Sequence, residues 1–166
     1  MAESYLACLF EHNCWANEQV IQACSGLTDE QLDAVPRSAT VGTIRATLLH
    51  LVKSEQAYLR LLTGTEPDLH WDAPPRFDEL LESVRTTGAG FVAVAHGDAA
   101  ERLAGRIQTR DGYLTEPWVV IAQIINHGAE HREQIKSMLS ALGMTPPETD
   151  GWSYGEATQA LVPITR

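Results

Sequence analysis

Hydrophobic positions in this chain recur every three or four residues over four long stretches, the period of a helix that buries one face. The first stretch runs from about Ser4 to Cys24, carried by Leu6, Leu9, Phe10, Val20 and Ile21, and "SGLT" closes it. The second follows "PRSATVG" and reads "TIRATLLHLVKSEQAYLRLLTG", stopping at Gly64. Its inward arc is Ile44, Leu48, Leu51, Tyr58 and Leu62, its wet face Arg45, Leu49, Lys53, Gln56 and Arg60, and His50 falls at the edge of the arc.

After the Pro-rich connection "TEPDLHWDAPPRF", a third helix is predicted over about Phe77 to Ala95, weakened and open to a kink at "TTGAG". The fourth begins near Pro117, suited to the first turn, and ends at Gly143. Between these two, "ERLAGRIQTRDGYLTEPW" with its Asp111-Gly112 turn predicts a short β-hairpin. The tail predicts a loop and a short helix from about Tyr154 to Ala160. Four helices with two long connections make an all-α four-helix bundle the economical fold, and 166 residues without an internal repeat fit a single domain over 1–166.

The fourth helix departs from a plain core pattern. Val120, Ile124, His127, His131, Ile135, Met138 and Leu142 share one stripe, so two histidines stand where leucine is expected. An isolated inward histidine is usually a satisfied core residue. A pair four residues apart differs, because both rings need polar partners within the same few ångströms, and one shared metal ion serves both. Spacing leaves the third ligand open among His12, His50, His70, His96 and the carboxylates. His70 and His96 fall in or beside loops, and His12 reads as solvated on the first helix.

Charge and cysteine usage narrow the partners. Twelve basic against 22 acidic residues give a net charge of −10, which repels nucleic acid and anionic membranes. No apolar run reaches the roughly 18 residues that span a bilayer, and the N-terminus lacks a signal-peptide pattern, so a cytoplasmic protein is expected. Cys8, Cys14 and Cys24 lie on one predicted helix, the closest two about 9 Å apart along its axis, too far for a disulfide and consistent with reduced thiols.

The run "INHGAEHREQIKSMLSALGMTPPETDGWSYG" resembles the C-terminal signature of the DinB family of DinB/YfiT-like metalloenzymes. "TIRATLLHLVKSEQAYLRLLTG" resembles that family's second helix and "FEHNCWANEQVIQA" its first, while the linker and third helix agree only in general character. The resemblance implies a four-helix bundle holding a divalent metal through three histidines, His50, His127 and His131, and imidazole ligands suit zinc and nickel alike. It further implies homodimerisation and a metal-dependent enzyme acting on a small molecule, a transferase, including transfer of a low-molecular-weight thiol, or a hydrolase. The alternative is a stress-linked metal- or ligand-binding protein without turnover. Three imidazoles leave an open coordination position, the arrangement of catalytic sites.

Catalytic residues beyond the ligands are not identifiable from the sequence. Asn126, Glu130 and Gln134 flank the pair as outer candidates, with Gln134 nearest the histidine face. Many relatives carry a second histidine where this chain has Glu130. The resulting H-x-x-E-H also spells a protease motif with Glu130 as base, but only 35 residues follow His131, too few for the larger domain of those enzymes. Glu130 is otherwise expected on a solvated face, pairing with Arg132 or Arg110. Trp15, Tyr58, Trp118 and Trp152 are read as core or pocket aromatics, and the basic residues form no visible anion clamp.

Overall fold

A computed structural model describes residues 4–36, 42–65, 71 and 74–164. The elements in chain order are α1 (Tyr5–Cys24), α2 (Asp29–Leu32), α3 (Ile44–Thr63), α4 (Phe77–Ala95), α5 (Ala100–Leu103), β1 (Ile107–Gln108), β2 (Leu114–Thr115), α6 (Pro117–Ala141) and α7 (Gly151–Ala157). The four long helices form the bundle: α1 packs on α4 and α6, and α3 packs on α6 and α4. β1 and β2 pair antiparallel, Ile107 opposite Thr115, giving the expected hairpin around Asp111-Gly112.

Local chemistry fixes the helix ends. The Ser4 hydroxyl accepts from the Ala7 amide at the start of α1, and Thr43 accepts from Ala46 at the start of α3. Gly64 ends α3 at φ 78°, the left-handed conformation that costs glycine least. Pro117 is the first residue of α6, where its missing N–H is no loss.

Five sequence expectations shift. The two short helices α2 and α5 lie in segments read as connections. The tail helix starts three residues early because Asp150 caps it, accepting from the Ser153 amide at 2.8 Å. α4 runs unbroken through "TTGAG", whose glycines serve packing: a Cβ on Gly88 would meet the Cys14 Sγ at 2.6 Å, and one on Gly90 would meet Leu59 at 2.6 Å. Leu9 is half exposed, and Gln56, assigned to the wet face, is buried and donates to the Ser83 hydroxyl at 2.8 Å.

Two apolar clusters fill the bundle. One gathers Val20, Ile21, Leu48, Val52, Val84, Ile135 and Leu139, and the other Phe10, Leu62, Phe91, Ile107, Val120 and Ile124. Each fully buried side chain of this size contributes roughly 1.5 to 3 kcal/mol by leaving water. Between the clusters along the helices lies a buried polar layer: Asn13 and Asn17 on α1, Glu55 and Gln56 on α3, Ser83 and Thr87 on α4, His127 and Arg132 on α6. The candidate chemistry sits at the edge of this layer.

Candidate metal centre

α3 and α6 run antiparallel, which brings His50 near the start of one helix beside His127 and His131 around the middle of the other. The Nε2 atoms of His50 and His127 are 3.1 Å apart, as are those of His127 and His131. One ligand nitrogen from each ring lies within 4.8 Å of the others. Burial is graded: His127 is 8% exposed, His131 half-buried, and His50 open to solvent. The cluster is therefore a surface-accessible pocket of imidazoles with a buried back wall.

Protonation favours bare nitrogens at the point of convergence. The Gln134 Oε1 lies 2.8 Å from the His131 Nδ1, and since that oxygen only accepts, Nδ1 carries the proton and Nε2 presents its lone pair. Burial, reinforced by the neighbouring His131 and His50, pushes His127 down to about 4, so its ring is neutral near pH 7. Burial, with His131 adding to it, lowers His50 as well. The buried Nδ1 of His127 has no hydrogen-bond partner among the described residues. Three rings aimed at one point satisfy each other poorly, because the central Nε2 has a single lone pair or a single proton to share between two neighbours. A cation at that point accepts all three lone pairs, so the donor set fits a divalent metal, and imidazole is a ligand suited to zinc and nickel.

Below the histidines, Glu55 and Arg132 communicate through two amides. The Glu55 Oε1 accepts from the Asn13 Nδ2 at 2.6 Å and the Asn17 Nδ2 at 2.8 Å. The Arg132 Nη1 donates to the Asn13 Oδ1 at 2.7 Å and the Asn17 Oδ1 at 2.8 Å. Both amides thus point oxygen toward the cation and nitrogen toward the carboxylate. Burial pushes the Glu55 carboxyl up, opposed by the two amides and the nearby guanidinium. This network ties α1, α3 and α6 together, and its signal was present in the sequence: Asn13 and Asn17 continue the inward stripe of Phe10 and Val20, and Glu55 continues that of Leu51 and Leu62.

Other candidates separate from the cluster. His12 is not solvated: its Nε2 lies 3.0 Å from the Thr149 carbonyl and its ring packs by Trp15 and Tyr154, tethering the segment before α7 to α1. His96 is exposed at the C-terminal end of α4, and His70 lies outside the described residues. Asn126 and Glu130 are exposed, and Arg132, offered as a partner for Glu130, turns inward to Asn13 and Asn17 instead. Trp118 and Trp152 are 67% and 73% exposed, so neither is core. Tyr58 sets its ring edge against His127, centroids 5.5 Å apart. Arg60 and Arg110, distant in sequence, line one cavity beside α3.

The sequence pattern of the DinB family matches residues 1–164. The fold is similar to that of a DinB-like protein from Bacillus cereus ATCC 10987, with a TM-score of 0.60 and 18% identity, covering 82% of this chain and 91% of that one. At that identity the likeness is one of fold. No curated protein matches the chain, and no helix among the described residues is long and apolar enough to cross a membrane. With the family pattern spanning nearly the whole sequence, the chain belongs to the DinB family.

Proposed function

We propose that this protein binds one divalent metal ion, zinc or nickel, through His50, His127 and His131, and that it is a metal-dependent transferase or hydrolase of small molecules. The observation that carries the reading is the convergence of three Nε2 atoms, two pairs of them 3.1 Å apart, with no carboxylate or thiol in the group among the described residues. A divalent ion held there supplies Lewis acidity at its open position, able to lower the pKa of a bound water, polarise a carbonyl or hold a thiolate. His127 forms the dry back of the site, Gln134 fixes the orientation of His131, and His50 stands at the mouth. The exposure of His50 favours turnover over storage, since a small molecule can reach the cluster from solvent. A low-molecular-weight thiol is the first substrate class to try.

Elemental analysis of purified protein, followed by thiol-transfer and ester-hydrolysis assays on the loaded form, tests the reading. About one metal per chain is expected, with most of it lost in each of His50→Ala, His127→Ala and His131→Ala. Full retention in His50→Ala would remove that residue from the ligand set.

A further inference from the structure

A cavity lies between α3, α6 and the hairpin, next to the histidines on the other side of Tyr58. Seven and eleven residues after His50, Ala57 and Leu61 return to the same stripe of α3. On α6, Gln123 and Val120 stand about one and two turns before His127, roughly 6 and 10 Å along the axis, again on the histidine stripe. These four side chains, with Tyr58 and Val119, line the cavity, of about 440 Å³, that the hairpin residues Thr109, Tyr113 and Thr115 border. Tyr58 is the shared partition: its ring meets His127 edge-on, and its hydroxyl receives the Gln123 amide at 3.5 Å.

Resting on the metal reading above, we propose that this groove is a specificity pocket, taking the apolar body of a small-molecule substrate whose metal-binding head lies at the three histidines. The volume falls within the range of about 300 to 1,000 Å³ typical of small-molecule sites. The wall is mainly aliphatic and aromatic. Of the lining residues, Tyr113 and Val119 are exposed at 68% and 41%, and Leu114 and Trp118, next to them in sequence, at 66% and 67%, an apolar concentration within seven residues that monomer surfaces rarely leave without use. Arg60 and Arg110 share the rim with Asp111, so the rim is of mixed charge and selection falls on the apolar wall. By contrast, a cavity of about 570 Å³ between α2 and the end of α6 presents no titratable side chain and lies away from the histidines. The pocket therefore selects an uncharged ring or short chain separated from its head by one to two helical turns.

Two probes with one metal-binding head decide the matter on zinc-loaded protein: acetohydroxamate and 4-phenylbutanohydroxamate, titrated by calorimetry. The phenyl compound is expected to bind at least about tenfold more tightly, the equivalent of about 1.4 kcal/mol. Ala57→Phe, which fills the groove, is expected to collapse that ratio toward unity, and Val119→Asp at the exposed rim to reduce it, with zinc content as the control for an intact centre. Equal affinities in the wild type, or a ratio unmoved by both substitutions, overturn the pocket. If zinc is not held at all, the metal reading itself fails and this inference falls with it; if zinc is retained but neither hydroxamate binds, the metal reading stands and the pocket is overturned.

Discussion

Gly128 stands so close to Asn13 that a methyl group on its α-carbon would sit 2.5 Å from the Asn13 Oδ1 and 2.8 Å from the Arg132 Nη1. The residue that follows His127 is thus a glycine because the buried network presses on the helix there. Gly128→Ala gains helix propensity but must displace the amide, and overpacking of this kind costs about 1 to 3 kcal/mol. Urea denaturation should show a net loss of stability, and a midpoint raised by the substitution would contradict the packing described.

Glu55 and Arg132 are expected to fail singly and compensate together. Arg132→Met leaves a buried carboxylate without its cation, and Glu55→Gln leaves the cation without its carboxylate; losses of about 3 to 5 kcal/mol are typical for a broken buried pair. Combining the two should cost clearly less than the sum of the single changes, since no uncompensated charge remains. Additive losses in a double-mutant cycle would show that the asparagine amides do not couple them.

Gln134 should govern metal affinity without being a ligand. Its Oε1 holds the Nδ1 proton of His131, and loss of such an outer partner typically weakens metal binding about 10- to 100-fold. Competition with a chromophoric chelator should give that loss for Gln134→Ala, with rescue by Gln134→Glu, whose carboxylate also accepts from Nδ1. Equal weakening by both would reduce Gln134 to a packing role.

The pH dependence follows from burial. His127 is lowered from an ordinary 6.5 to about 4, so between those values the unfolded chain binds a proton that the folded chain refuses. Stability of the metal-free protein should therefore be full above about pH 6.5 and decline as pH falls toward 4. Because that ring is already neutral at pH 6, it has no proton to shed on metal binding. Three ordinary imidazoles would release a little over two protons per metal at about pH 6, so calorimetry in two buffers of different ionisation enthalpy should count clearly fewer than two, and a count above two would refute the neutral buried ring.

Much of this architecture was readable because its period is simple. Apolar spacing, Pro117 and Gly64 placed the long helices nearly to the residue, and the His127–His131 pair announced itself by interrupting a core stripe. Spacing alone could not choose His50, whose position at the edge of its arc gave no preference over other donors; the family resemblance pointed to it, and the antiparallel packing of α3 on α6 brings it within reach. The polar layer was harder. Gln56 and Glu55 look like surface residues to any rule that counts hydrophilic side chains as wet, and only their partners across the bundle, Ser83 for one and two asparagines for the other, make burial affordable. The cavity beside Tyr58 draws on α3, the hairpin and α6, so no single segment carries its signature.

The two helices that supply histidines share one arithmetic. Five residues separate His50 from Glu55, and five separate His127 from Arg132, an offset of about 140° around a helix. Each shaft thus carries a histidine toward the cluster and a charged key toward α1. A single inserted residue between ligand and key would swing them about 100° out of phase, so that seating the key misaims the imidazole. Insertions should consequently be tolerated in the loops and hairpin and rejected within these two short intervals, even where every histidine is retained.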